Sequence, residues 1–195
     1  MAFEIVVIGS SYGGLSALQV FLRELSPEFP LPVVLVQHRR KDADDGLCEY
    51  LSKRSRLPLV EPNDKEKVEP GRVYLAPPDY HLLIEESIFA LSTESPVGHA
   101  RPSIDVLFES AADVYRDRSI GVILTGANRD GARGLAKIKS FGGMAIVQDP
   151  SDAESRSMPE AAIAATSVDR VLPLDEIAPF LNDLCHPTSR LLHAG

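Results

Sequence analysis

A chain of 195 residues with 44% hydrophobic and 25% charged residues has the composition of one ordinary globular domain, so residues 1–195 are read as a single domain with a full core. A formal net charge of -8 argues against nucleic acid as a partner, which needs a clustered basic face, and no apolar run approaches the ~20 residues of a membrane span. The N-terminus lacks a basic region followed by an apolar stretch and cleavage site, so a cytoplasmic protein without membrane insertion is expected. Cys48 and Cys185 lie far apart with no clustered Cys or His, which suggests neither a zinc site nor a disulfide but two inert thiols.

The first element is a β-branched run through Ile5-Val6-Val7-Ile8 that reads as a buried strand and discharges into Gly9-Ser10-Ser11-Tyr12-Gly13-Gly14. Leu15, Leu18 and Leu22 follow at helical spacing, so the turn between must be tight, and its glycines present a hydroxyl at the strand's carboxyl end. Ser11 is therefore a candidate nucleophile. The spacing G-x-x-x-G-G is not the dinucleotide fingerprint, the second strand ends in Gln37-His38 rather than an acid, and the Gly-Lys of a phosphate-binding loop is missing.

Val33 to Val36 form the second strand, followed by a polar turn from Arg39 to Gly46, a helix through Leu47, Tyr50 and Leu51, and a short strand near Leu57 to Val60. The charged, Pro-bearing stretch from Glu61 to Gly71 reads as a surface loop. Runs at 72–76, 81–84 and 88–91 are too close together for crossovers and are expected to pair antiparallel as hairpins at a sheet edge. Pro102 is expected in the first turn of a helix carrying Ile104, Val106, Leu107 and Val114. Ile120 to Leu124 form a buried strand that runs into a second Gly-rich turn, Thr125 to Gly131, and then a helix through Leu135 and Ile138. Met144 to Val147 give another strand and Leu174 to Leu184 a terminal helix. Strands alternating with helices predict a three-layer, doubly wound α/β fold: a mostly parallel sheet, helices on both faces and an antiparallel hairpin at one edge.

In such folds ligands bind beyond the strand carboxyl ends, and Ser11, His38 and Asp130 each follow a different apolar strand. A serine hydroxyl needs a base to take its proton, an imidazole suits that task near neutral pH, and a carboxylate fixes the imidazole's tautomer. The backbone N–H groups of Tyr12 and Ala127 are the candidate oxyanion donors. Taken singly, His38 could be a satisfied strand-end residue and Asp130 the N-cap of the following helix. His81, His99, His186 and His193 are read as surface or core-edge residues, and Arg101 and Asp105 either as a structural ion pair at a helix start, the favoured reading, or as lining of the cleft.

Several separated strings together resemble the catalytic domain of the chemotaxis receptor protein-glutamate methylesterases, the CheB family. They are Ile8-Gly9-Ser10-Ser11-Tyr12-Gly13-Gly14, Gln37-His38, Tyr74-Leu75-Ala76-Pro77-Pro78-Asp79 with His81, Arg101 to Phe108, Gly121 to Gly126 with Asp130-Gly131, and Gln148-Asp149-Pro150 through Met158-Pro159. The resemblance covers nearly the whole chain. It implies hydrolysis of glutamyl γ-methyl esters on cytoplasmic helices of chemoreceptors, with deamidation of receptor glutamines as a second activity. Ser11 would be the nucleophile, His38 the proton relay and Asp130 its orienter, with no metal or organic cofactor.

Three departures from the family pattern stand out. Tyr12 follows the nucleophile where members often have a small residue or Thr, and Gly126-Ala127-Asn128 stands for the usual Gly-Met-Gly. The first strand begins by Phe3 with no receiver domain before it, which suggests a free-standing form or an excised part, with any regulatory or phosphorelay partner on a separate chain. The basic run Arg39-Arg40-Lys41 directly after His38 is read either as a contact for acidic receptor helices or as a solvated loop. The departures leave a second function class open, a non-catalytic receptor- or protein-binding module that retains the fold.

Overall fold

The computed structural model describes residues 2–39 and 46–186. Its element order is β1 (Ile5–Ser10), α1 (Gly14–Glu24), β2 (Val33–Gln37), α2 (Gly46–Ser52), β3 (Leu59–Val60), β4 (Val73–Leu75), β5 (His81–Glu85), β6 (Ile88–Ser92) and α3 (Ile104–Tyr115). After a 3₁₀ turn at Arg116–Arg118 come β7 (Ser119–Ile123), α4 (Ala132–Ser140), β8 (Met144–Gln148), α5 (Ser157–Ala165), β9 (Arg170–Leu172) and α6 (Leu174–Cys185).

Seven strands form one sheet in the order β3-β4-β2-β1-β7-β8-β9, and every pairing within it is parallel. Alternation along β1 decides which side chain serves which layer. Ile5 and Val7 join Ile104, Leu107 and Phe108 of α3, Leu135 and Ile138 of α4, and Met158 of α5 on one face. Val6 and Ile8 join Leu18, Phe21 and Leu22 of α1, Leu51 of α2, and Ile177 and Leu181 of α6 on the other. A strand buried on both faces favours apolar side chains on both, which is why β1 as far as Ile8 and β2 as far as Val36 read as continuous runs.

Three expectations need correction. The run at 72–76 does not belong to a hairpin: Val73, Tyr74 and Leu75 pair in parallel with Val33, Val34 and Leu35. β5 and β6 do pair antiparallel, but as a separate two-stranded sheet that buries Leu82, Ile84 and Phe89 with the α3 layer rather than extending an edge. Pro102 lies outside α3, whose first residue is Ile104. Two elements were not anticipated from the sequence, α5 and the edge strand β9.

β1 connects to β2 on one side, while β7 lies on its other side and leads on to β8. The direction of winding reverses there, between β1 and β7, and in open α/β sheets ligands bind at the strand carboxyl ends beside such a reversal. Among the described residues no helix is long and apolar enough to cross a membrane.

Candidate active site

The parallel ladders continue past the strand ends and bring the three turns together. Leu124 N–H donates to the Gly9 carbonyl at 2.9 Å, Ser11 N–H to the Thr125 carbonyl at 3.0 Å, and His38 N–H to the Ser10 carbonyl at 3.0 Å. Ser11, His38 and the turn after β7 are thereby neighbours through backbone bonds alone. Gly13 takes φ 77°, a left-handed conformation that turns the chain from β1 into α1 directly after Ser11 and Tyr12. A Cβ on Gly126 would lie 2.6 Å from Met158 Cε and 3.0 Å from Ser11 Cβ, so only glycine lets the β7 turn approach the serine this closely.

Gln37 fastens the first two turns. Its Nε2 donates to the carbonyls of Ser11 and His38, both at 2.9 Å, and its Oε1 accepts the Ser10 hydroxyl at 2.7 Å. In the sequence Gln37 argues against a dinucleotide site and belongs to one of the strings of the family resemblance, with no role of its own; the signal that it serves the serine turn was its place one residue before His38. Thr125 is held in the same way, its N–H donating to Gln148 Oε1 at 2.9 Å and its hydroxyl to the Tyr12 carbonyl at 3.0 Å.

His38 Nε2 lies 2.8 Å from Asp130 Oδ2, and both side chains are largely buried, at 12% and 6% exposed. The carboxylate also accepts the Ile104 N–H at 2.7 Å, the Asp105 N–H at 3.0 Å, the Gly131 N–H at 3.0 Å and the Ser103 hydroxyl at 2.9 Å. Asp130 therefore caps α3, a helix 26 residues earlier in the chain, and not the helix it precedes. Free N–H groups at a helix start favour a negative charge. Burial works to raise the Asp130 pKa, but the hydrogen bonds from His38 and from the Asp105 and Ile104 N–H groups outweigh it and hold the carboxyl below the ordinary aspartate value.

Asn128, noted in the sequence as part of a departure from the family's Gly-Met-Gly but given no role there, completes the surroundings of His38. Its Oδ1 accepts the Asp130 N–H at 3.0 Å, an Asx turn, and its Nδ2 lies 3.1 Å from His38 Nδ1. A backbone N–H can only donate, so the amide oxygen must face Asp130 and the amide nitrogen must face His38. Nδ1 of the imidazole is then the acceptor, and Nε2 carries the hydrogen that points at Asp130. Among the described residues no hydrogen bond joins the Ser11 hydroxyl to His38, and the N–H groups of Tyr12 and Ala127 have no acceptor. Tyr12, the residue after the serine, is 62% exposed.

A cleft of about 860 Å³ opens beside His38 and Asn128, lined also by Arg39, Asp79, His99 and Arg101. Arg101 pairs with Asp79 at 2.5 Å and donates to the carbonyls of Thr93 and Glu94, while Asp105 accepts the Gly134 N–H at 2.8 Å and lies 3.7 Å from Arg133. The expected ion pair between Arg101 and Asp105 is therefore replaced by two separate contacts. Burial, the largest influence on Asp105, raises its pKa above the ordinary value. Of the two readings for His81, surface or core edge, the surface one is excluded: it is buried, Nε2 lies 3.1 Å from the Ser95 carbonyl, and Nδ1 accepts the Ser103 N–H at 3.3 Å, which steadies the start of α3. His99 is exposed on the cleft, and His186 is half-buried after α6. Arg39 turns inward and pairs with Glu61 at 2.5 Å with its side chain only 5% exposed, so it is not the solvated end of a basic run. Arg40, Lys41 and His193 lie outside the described residues. Burial raises the pKa of both thiols, that of Cys185 to about 11.

A hydroxyl, an imidazole and a carboxylate at the ends of three strands of a doubly wound parallel sheet is the layout of a serine hydrolase. The sequence model of the CheB methylesterase domain matches residues 6–181. The chain belongs to the CheB methylesterase family. It is 51% identical over 179 residues to a Leptospira interrogans protein named as a candidate protein-glutamate methylesterase/protein-glutamine glutaminase, covering 91% of this chain and 93% of that one. A protein-glutamate methylesterase/protein-glutamine glutaminase of Anaeromyxobacter dehalogenans is 44% identical over 93% of this chain and 53% of its own, so this chain spans about half of that relative. The crystal structure of the Thermotoga maritima CheB methylesterase catalytic domain superposes with a TM-score of 0.90 at 36% identity, over 94% of this chain and 100% of that one.

Proposed function

We propose that residues 1–195 act as one catalytic domain, a serine esterase that hydrolyses glutamyl γ-methyl esters on the cytoplasmic helices of chemoreceptors to glutamate and methanol, and that deamidates receptor glutamines. The observation that carries this reading is the contact of His38 Nε2 with Asp130 at 2.8 Å directly beside the Ser11 turn, in a chain of this family.

In this reaction the Ser11 oxygen attacks the ester carbonyl as His38 takes its proton. Because Nε2 is committed to Asp130, the proton goes to Nδ1. The tetrahedral oxyanion accepts the Tyr12 and Ala127 N–H groups, whose freedom from other acceptors supports this role. His38 returns the proton to the departing methoxide, leaving an acyl-enzyme. A water, deprotonated by the same nitrogen, then releases the glutamate carboxylate and restores the serine. For a glutamine substrate the leaving group is ammonia and the rest is unchanged.

The carboxylate's low pKa favours the imidazolium formed midway, since Asp130 remains charged at neutral pH. The substrate segment is a receptor helix, the site of action is the cytoplasm, and a regulatory or phosphorelay protein is a further partner. The relatives' names favour an enzyme over a non-catalytic binding module. Methanol release from a methylated receptor cytoplasmic fragment tests the proposal: it should be robust with this chain and absent with Ser11→Ala. Equal release from both would remove Ser11 as nucleophile, and none from the folded native chain would remove the methyl ester as substrate.

A further inference from the structure

We infer that Asn128 is a positioning residue that competes with Ser11 for Nδ1 of His38 and so sets the resting state of the base. The inference rests on the reading of His38 as the base that serves Ser11.

The Asn128 amide cannot turn over without setting its NH₂ group against the Asp130 N–H, so its orientation is fixed by the 3.0 Å bond between Oδ1 and that N–H. Its Nδ2 then meets His38 Nδ1 at 3.1 Å, while Nε2 is occupied by Asp130 at 2.8 Å. An imidazole nitrogen has one lone pair in the ring plane. While Asn128 donates to it, Ser11 cannot. In agreement, the Ser11 hydroxyl makes no hydrogen bond to His38 among the described residues. The chemistry therefore begins with an exchange: the amide releases Nδ1, the serine O–H takes its place, the bond from oxygen to carbonyl carbon forms, the carbonyl electron pair moves to oxygen, and the proton passes to Nδ1. Ala or Gly at position 128 would leave Nδ1 uncovered. Only a side chain with an acceptor and a donor on one planar group can grip the Asp130 N–H and the imidazole together.

The test uses two variants with opposite expected effects. Asn128→Ser retains an acceptor for the Asp130 N–H through an equivalent short turn, but its hydroxyl falls short of Nδ1. Asn128→Asp retains the acceptor and presents a carboxylate to Nδ1, which makes a bond only if that nitrogen is already protonated. The readout is the rate at which a fluorophosphonate labels Ser11, a step that needs the serine and its base but no receptor ester. Asn128→Ser should label about fivefold faster, the factor one neutral hydrogen bond commands. Asn128→Asp should label more slowly by on the order of 100-fold, the loss of a general base. Thermal unfolding of each variant establishes that it is folded, and nitrogen-15 spectra of His38 should give an unprotonated Nδ1 in the native chain and a protonated one in Asn128→Asp. Loss of labelling in both variants, or no change in either, would overturn the inference and leave Asn128 a structural residue. An unlabelled native chain would overturn the base reading itself, a separable result.

Discussion

Asp130 receives the Ile104 N–H at 2.7 Å on Oδ2, the same oxygen that faces His38 Nε2 at 2.8 Å. One carboxylate thus anchors the start of α3 and orients the imidazole, so the stability of the α3 layer and the geometry of the candidate base are coupled at a single side chain. Substitution there should be felt in both.

Asp130→Asn substitutes an NH₂ group for one acceptor oxygen where every neighbour donates, and it favours the wrong imidazole tautomer. Ester hydrolysis should fall by about 10⁴-fold. Asp130→Ala leaves several buried N–H groups without an acceptor and should cost about 3 kcal/mol or more in urea unfolding. Loss of activity in the Ala variant with unchanged stability would disprove the anchoring role.

The pH dependence of stability follows from the direction of the Asp130 shift. Its native pKa lies below the ordinary value of about 3.9, so its contribution is complete above that value and is lost as pH falls from there through the lower native value. Asp105, raised by burial, works in the opposite sense: it opposes folding at neutral pH and does so less as acid protonates it. Unfolding free energies of the native chain and Asp130→Asn, measured from pH 7 to pH 2.5, should therefore converge at the acid end. A constant gap would mean that the carboxylate's charge is not what stabilises the native state.

Gln37→Leu preserves volume but leaves the Ser10 hydroxyl and the His38 carbonyl without the Gln37 amide and the Ser11 carbonyl with the Gly14 N–H as its donor. We expect a loss of about 1–3 kcal/mol in stability. Activity should fall by more than stability alone accounts for, on the order of tenfold in kcat at a temperature where the variant is fully folded, because both turns lose their shared fastening. An unchanged kcat would show that the backbone ladder suffices to align Ser11 with His38.

Arg39→Glu brings a second carboxylate against Glu61 in a site where the native side chain is 5% exposed. The expected outcome is a lower melting temperature, corresponding to about 3 kcal/mol, whether or not a receptor fragment is present. If instead the variant were as stable as the native chain and bound a receptor fragment more weakly with a strong salt dependence, Arg39 would belong to a docking face.

Much of this was legible in the residues themselves. Apolar runs ending in Ser11, His38 and the turn that holds Asp130 announced three strand ends, because strands buried on both faces tolerate little but apolar side chains. The helices through Leu18 and Leu22, and through Leu135 and Ile138, followed from spacing alone. Other elements left little trace. β9 has three residues, two of them exposed, and exists because β8 offers it a ladder. α5 is short, alanine-rich and weakly amphipathic, so its apolar residues mark no face. The run at 72–76 looks like a hairpin arm because its neighbours in sequence are strands, yet the unpaired edge of β2 captures it.

By itself the sequence determined the α/β class, the two apolar layers and the three chemical groups at strand ends, since burial and periodicity are local properties of the chain. Only the tertiary structure decided which partners those groups have. The capping of α3 by Asp130, the clasp of Gln37 on both turns, the inward ion pair of Arg39 and the contact of Asn128 with His38 join residues from separate loops. Each depends on hydrogen-bond directions and distances that exist once the sheet has brought the loops together.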